Sequence, residues 1–366
     1  MLFPKTIATG DAFCNRDEER KLLRNNIENI QHSLVISPRR YGKTSLIFRV
    51  IEEIGWPYAH VDLFLAFEEL KITERFLDGI AKLVSQIIPI NIKAIAKIRD
   101  FFKLFSISIN VGDVSFGLKL ESTQSSQVTV KNAIEGLENL LKKYKKRAIF
   151  FIDEMQDIVQ TTMCSEIEAT IRFYAQQTKN LAFIFSGSNR KLLKEIFDDR
   201  SRPLFKMCDR LNLKRINATH YQEFLNRASL KQWRNKLPKD SLDLIFELTE
   251  LHPYYINYLC ARLWQLSELP NVDQIKNSWN QICEDETNNL AMDIDALSFN
   301  QKKLLEYIAQ RGVLISPTAQ EHLQKLQITS RGLLQALKGL TERDLIEKTT
   351  KGFMVLDPLL KSILIK

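Results

Sequence analysis

No stretch of this 366-residue chain approaches the roughly eighteen consecutive apolar residues that span a bilayer. Met1-Leu2-Phe3-Pro4-Lys5 opens no apolar segment of the kind that directs secretion, so a cytoplasmic chain without membrane attachment is expected. Cysteine is sparse. Positions 14, 164, 208, 260 and 283 are odd in number, scattered, and form no CxxC pair. They read as reduced structural thiols, which argues against a disulfide framework and against a zinc site. Internal repeats and low-complexity tracts are missing as well. What remains is an ordinary globular composition, 45% hydrophobic and 26% charged, long enough for two or three compact units. The net charge of +8 permits an acidic partner without requiring one.

One stretch organises the rest: Ser33-Leu34-Val35-Ile36-Ser37-Pro38-Arg39-Arg40-Tyr41-Gly42-Lys43-Thr44-Ser45. The apolar run 34–36 reads as a buried strand and 45–54 as a helix, with a tight loop between them. Strand, loop and helix in that order form the setting of a phosphate-binding loop. In the loop that begins at Pro38, the backbone N–H groups from Arg39 to Ser45 and the helix dipole favour bound phosphate. Lys43 would reach the β- and γ-phosphates and the Thr44 hydroxyl would ligate Mg²⁺. The motif's first glycine is replaced by Ser37.

A second element supports the first. Ala148-Ile149-Phe150-Phe151-Ile152 is an apolar strand that ends in Asp153-Glu154. Asp153 would hold Mg²⁺, directly or through water, and Glu154 would act as general base on the attacking water. Alone, the pair could be solvated acids at a strand end. Together with Lys43 and Thr44 it predicts binding of ATP or GTP.

Along the rest of the chain, 56–64 reads as a strand and 72–88 as a helix. Residues 93–105 are basic and amphipathic, and 106–110 with 115–120 alternate around Gly112-Asp113 as a hairpin, taken as an insertion at about 89–127. Helix 128–144 ends in a lysine cluster suited to a helix C-terminus. Strand 181–185 is followed by Ser186-Gly187-Ser188-Asn189, where Ser188 or Asn189 would contact the γ-phosphate or the water. A fifth strand is expected at 210–216. Arg200 and Arg202, in the loop before it, are candidates for an arginine finger into a neighbouring subunit, or plain solvated residues. From 218 the patterns are helical. Beyond 297, three helices and two short strands around 349–352 make a winged helix-turn-helix.

The series F-x-x-R-D-E-E (13–19), S-P-R-R-Y-G-K-T-S-L (37–46), F-F-I-D-E-M-Q (150–156), F-S-G-S-N (185–189) and H-P-Y-Y-I (252–256) resembles the archaeal-type ATPase family, in the STAND branch of AAA+-related P-loop NTPases. The resemblance covers about residues 10–270. It implies an α/β fold: an AAA+-like parallel-sheet core, a helical lid domain and a C-terminal winged helix, bounded at about 1–216, 217–296 and 297–366. It implies one strand between the phosphate-loop strand and the Asp153 strand. It also implies that the segment from Phe13 to Arg16 lines the base pocket, and that His252-Pro253 packs near the adenine.

Two functional readings follow. In the first, ATP and Mg²⁺ drive a conformational switch or scaffold for a protein partner or for further copies of the chain. In the second, a DNA-engaging ATPase uses its winged helix on duplex DNA. Residues 298–366 carry 11 Lys and Arg against 6 Asp and Glu, yet the expected recognition helix exposes only Arg331, Lys338 and Arg343. A small-molecule kinase is disfavoured, because no acceptor-site signature accompanies the loop.

Overall fold

The computed structural model describes residues 2–88, 102, 105–110, 115–120, 126–161 and 164–365. The chain divides into two compact units, one of residues 16–214 and one of residues 1–15 with 215–366.

The first unit begins with α1 (Asp17–Glu28), β1 (Ser33–Ile36), α2 (Lys43–Ile54), β2 (Tyr58–Asp62) and α3 (Glu69–Ile87). A hairpin follows, β3 (Phe105–Asn110) and β4 (Ser115–Leu120), then α4 (Ser126–Tyr144), β5 (Ala148–Asp153), α5 (Cys164–Gln177), β6 (Leu181–Gly187), α6 (Arg190–Asp198) and β7 (Asp209–Asn212). Five strands form a parallel sheet in the order β2-β5-β6-β1-β7. Burial explains that order. β1, β5 and β6 are buried at every position, as unbroken apolar runs must be, and take the inner places. β2 alternates and β7 is mostly exposed, so they form the edges. β6 lies between β1 and β5, as the family resemblance implied.

Aromatic rings on one side of the sheet lock its inner strands to the helices. Phe76 of α3 stacks on Phe150, Phe150 meets Phe183, Phe183 stacks on Phe185, and Phe185 meets Phe197 of α6 at centroid distances of 5.3–6.2 Å. All five rings are buried. The strand expected at 210–216 stops at Asn212, because its neighbour β1 ends opposite it at Ile36 and turns into the loop. The β3–β4 hairpin is an antiparallel pair apart from the main sheet. Most of the basic stretch at 93–105 lies outside the described residues, as does 121–125 of the polar run 121–127 that the sequence reads as a loop; 126 and 127 begin α4.

The second unit contains α7 (Ala218–Trp233), α8 (Lys239–Thr249), α9 (Pro253–Leu263) and α10 (Val272–Asp295) around a core that includes Tyr255 and Trp279. α11 (Phe299–Arg311), α12 (Gln320–Leu326), α13 (Ser330–Glu342) and the antiparallel wing β8 (Ile346–Thr349) and β9 (Gly352–Val355) form the winged helix. A further helix, α14 (Pro358–Ile365), was not anticipated. The Asp357 carboxylate accepts from Leu359 N and Leu360 N at 2.8 and 3.1 Å, capping that helix one residue before its proline. Glu250 links separate parts of this unit. Its carboxylate accepts from Arg215 Nη1 and from Lys361 Nζ, each at 2.6 Å. Burial alone would push the Glu250 carboxyl up, but the bonds from Arg215 and Lys361 outweigh it and hold the group below its ordinary range.

Candidate nucleotide site

The carboxyl ends of β1, β5 and β6 meet at one edge of the sheet, where open α/β folds place their ligands. The loop after β1 runs from Ser37 to Gly42. Arg40 and Gly42 both take left-handed backbone, at φ 63° and 85°, so Gly42 meets a conformational demand that a side chain would resist. Ser37 is absent from the positive-φ residues, so a serine in place of the motif's glycine brings no backbone strain there. Ser37 is buried, and its hydroxyl donates to the Pro38 carbonyl at 2.9 Å.

Lys43, the first residue of α2, is buried within the loop. Its Nζ donates to Ser37 O at 3.2 Å and Pro38 O at 3.3 Å. Thr44 follows. Its hydroxyl donates to Asp153 Oδ2 at 3.0 Å and so joins two motifs 109 positions apart. The other Asp153 oxygen, Oδ1, accepts from the Glu154 amide at 3.0 Å and from the buried Ser186 hydroxyl. The carboxylate is thereby fixed in orientation. Ser45, in the first turn of α2, is buried, while Arg39 and Arg40 are exposed and Tyr41 is buried.

Glu154 also has left-handed backbone, φ 49°. Its Oε2 accepts from Ser188 N at 3.1 Å, from Ser188 Oγ at 3.0 Å and from Gln156 Nε2. Gln156 Nε2 also reaches Asp157 Oδ1 at 3.3 Å, and Asp157 Oδ2 accepts the Leu65 amide at 3.0 Å. Burial pushes the Asp157 carboxyl up, with the Leu65 bond opposing and Glu154 adding to the rise. Leu65 itself is left-handed at φ 56°. Gly187 makes room for this arrangement: a Cβ there would lie 1.9 Å from Gln156 Oε1.

The sequence motifs thus bring together Lys43, Thr44, Asp153, Glu154 and Ser188. Asn189 also serves the fold. It is the N-cap of α6, and its side-chain oxygen accepts Leu192 N at 3.1 Å. Arg16 is buried, and its Nη2 donates to Tyr41 O and Lys214 O, both at 2.9 Å. This places the guanidinium on the backbone of the phosphate loop.

Arg202 and Arg200 separate in the same way. The Arg202 guanidinium pairs with the fully buried Glu168, with Nε to Oε2 at 3.1 Å and Nη2 to Oε1, while Arg200 is exposed. Phe13, His252 and Pro253 belong to the other compact unit. There His252 is the buried N-cap residue of α9, Pro253 takes the first helical position, and the His252 ring lies 4.9 Å from that of Tyr255.

Sequence reasoning gave no role to Ser186, Gln156 or His60. Ser186 was visible as the first hydroxyl after the apolar run 181–185, and Gln156 as a polar residue two places beyond Glu154. His60 Nε2 lies 4.0 Å from Asp153 Oδ2, and the ring stacks on Phe151 at 4.7 Å. Burial lowers the His60 pKa, with Asp153 opposing.

Whether Mg²⁺ suits this site is decided by its donors. Thr44 and Asp153 present hard oxygens, the type Mg²⁺ prefers, and Mg²⁺ commonly binds through one or two protein oxygens with phosphates and water completing the shell. Among the described residues, no group of three or more His, Cys, Asp or Glu could hold a metal unaided. A cation bound here would therefore share its shell with nucleotide oxygens. The residues fit that arrangement.

A family model described as an ATPase domain predominantly from Archaea matches residues 13–259, more than half of the chain. The chain belongs to that family. A second model, a probable winged helix domain, matches residues 291–366 of this archaeal-type ATPase. Among solved structures it is similar to a Walker-type ATPase of Pyrococcus abyssi, at 20% identity and a TM-score of 0.72, over 100% of this chain and 99% of that one. It is also similar to the ORC2 protein of Aeropyrum pernix, solved as ADPNP-ADP complexes, at 14% identity and a TM-score of 0.60, over 100% and 95% of the two chains. At these identities the likeness is one of fold. None of the curated proteins matches by sequence.

Proposed function

We propose that this archaeal-type ATPase is an Mg²⁺-dependent, ATP-hydrolysing member of the STAND branch that works as a nucleotide-driven conformational switch for partners. The Thr44–Asp153 hydrogen bond of 3.0 Å carries the reading, because it joins the helix end of the phosphate loop to the strand that presents Glu154. In this reading the loop from Pro38 through Arg39, Arg40, Tyr41 and Gly42 to Ser45 cradles phosphates, and Lys43 meets the β- and γ-phosphates. Thr44 and Asp153 hold Mg²⁺, whose charge offsets that of the phosphates. Glu154 orients the attacking water and takes its proton, while Ser188 and Gln156 hold that carboxylate in place. Arg200 is better suited than Arg202 to reach another copy, because Arg202 would first have to abandon buried Glu168.

The arrangement is completed by a lid at 217–296 that carries His252 and Pro253 to the base, with Phe13, and by a winged helix at 297–366 that reports to a partner. Among the described residues no helix is long and apolar enough to cross a membrane, and a cytoplasmic place is part of the proposal.

Steady-state hydrolysis and equilibrium ATP binding by the full chain, with and without Mg²⁺, test it. Lys43→Ala should lose tight ATP binding. Glu154→Gln should keep it and hydrolyse about 10²–10⁴-fold more slowly, the usual worth of a general base. Wild-type hydrolysis by both variants would remove the reading.

A second reading, DNA engagement, is favoured by the winged helix and by Arg331, Lys338 and Arg343, all exposed on or just after α13. So few contacts predict a logarithmic salt slope of only roughly −2 to −4 for duplex binding.

A further inference from the structure

The winged helix holds a groove of about 600 Å³ between α13, the β8–β9 wing and the chain at 314–317. Its volume is in the range of ligand sites, about 300–1,000 Å³. Ile315, Leu334 and Phe353, backed by buried Leu314 and Leu337, make its lining predominantly apolar. Two of these side chains are strongly exposed, Ile315 at 63% and Leu334 at 51%. An amphipathic helix normally keeps such residues inward, and α13 already buries Leu333, Ala336, Leu337 and Leu340 on its core side. Leu334 is therefore additional to what the fold needs.

The rim is charged with one sign in excess. Lys338, Lys348 and Lys351 border the groove against a single acid, Glu342. All three lysines are exposed. Gly352 fixes the wing against the groove wall: its φ is 135°, and a Cβ there would lie 2.4 Å from Leu314 O.

Apolar floor and lysine rim together call for an occupant with apolar side chains flanked by carboxylates. Duplex DNA matches only the rim. Beyond the hydroxyls of Ser316, Thr341, Thr349 and Thr350, the lining between the lysines meets its phosphates and base edges with apolar side chains, and Arg331 and Arg343 lie outside it. We propose that this groove is a docking site for a short acidic–hydrophobic segment of a partner protein, with two or more apolar anchors between α13 and the wing and Asp or Glu beside Lys338, Lys348 and Lys351. It deepens the reading of the chain as a switch by naming the chemistry of the partner, and it rests on that reading.

The test uses the full chain and a displayed library of random twelve-residue peptides, counter-selected on a Leu334→Asp chain of unchanged melting temperature. Selected peptides should pair Leu, Ile or Phe with Asp or Glu. Their affinity should fall at least about tenfold in Leu334→Asp and in Ile315→Asp, as expected for loss of a buried anchor site. Lys348→Glu with Lys351→Glu should weaken binding and flatten its salt dependence. Absence of enriched peptides, enrichment of basic or purely polar ones, or affinity unchanged in both Asp variants would each overturn the proposal. So would binding of a 20-base-pair duplex that the same substitutions abolish while no peptide is selected, which would give this face to DNA. ATP binding, measured on the same preparations, separates the two readings. A chain that binds ATP but no such peptide loses only the groove, and a chain that selects peptides but binds no ATP loses the nucleotide reading.

Discussion

Replacing Arg16 with alanine removes two hydrogen bonds from a buried guanidinium, one to the Tyr41 carbonyl inside the phosphate loop and one to the Lys214 carbonyl. Hydrogen bonds from a charged group contribute about 1.5–3 kcal/mol each, so about 3–6 kcal/mol of gross interaction is at stake. The Glu19 partner is partly exposed and adds little, since pairs near the surface are worth about 0–1 kcal/mol. Tyr41 lies two residues before Lys43, so part of the loss falls on the shape of the loop and part on global stability. If about 1.4–2.8 kcal/mol reaches the bound loop, ATP affinity falls roughly ten- to hundredfold. Arg16→Lys keeps the charge but not the fork, and should lose about half as much free energy.

Fluorescence titrations with ATP, GTP and tripolyphosphate distinguish this role from contact with the base. A residue that shapes the phosphate loop weakens all three ligands alike. A loss confined to ATP, with tripolyphosphate untouched, would refute the argument and restore Arg16 to the base pocket; unchanged affinity for every ligand would refute both.

Gly187→Ala forces Gln156 away from Glu154 and should lower turnover about tenfold, the worth of one hydrogen bond to a carboxylate, with ATP affinity near wild type; a changed affinity with normal turnover would contradict it. Arg202→Ala strands buried Glu168 and should destabilise the chain toward the lower end of about 3–5 kcal/mol, seen in urea unfolding. Arg200→Ala should leave stability unchanged but lower hydrolysis if it acts between copies, with rescue on mixing with Lys43→Ala; identical unfolding curves for the two Arg variants would count against the assignment. The Glu250 carboxyl is held below its ordinary value near 4.5, so its stabilisation is present above that pH and disappears as pH falls through the lower folded value. The melting-temperature gap between wild type and Glu250→Gln should therefore be largest above about pH 5 and narrow on acidification; a gap that does not vary with pH would contradict the assignment.

The inner strands were legible because burial on both faces demands unbroken apolar runs, and 34–36, 148–152 and 181–185 are such runs. Edge strands were read too long, since an edge ends where its single neighbour ends, a fact set by residues far away in sequence. Lys43, Thr44, Asp153 and Glu154 were legible because each sits at a fixed offset within a local motif. The Ser188–Glu154 and Ser186–Asp153 bonds were not, because they arise from the parallel pairing of β5 with β6. The cap that Asn189 makes has a local cause: a side chain just before a helix is claimed by that helix's amides. The C-terminal helix had its signal in Asp357-Pro358, a cap followed by a first-turn proline.

Glu154 and Asp157 share one amide, that of Gln156, and Asp157 in turn grips the Leu65 backbone. A leucine in the left-handed region sits uphill by about 1–2 kcal/mol, roughly the value of the hydrogen bond that keeps it there. The loop is thus a balanced latch. Around it Phe64, Leu65, Phe67 and Leu70 are 46–56% exposed, an oily strip on the outside of the unit. Rotation of the Glu154 side chain that pulls Gln156 aside would weaken the catch on Leu65, so a movement of one carboxylate would reach that strip through two side chains and a single amide.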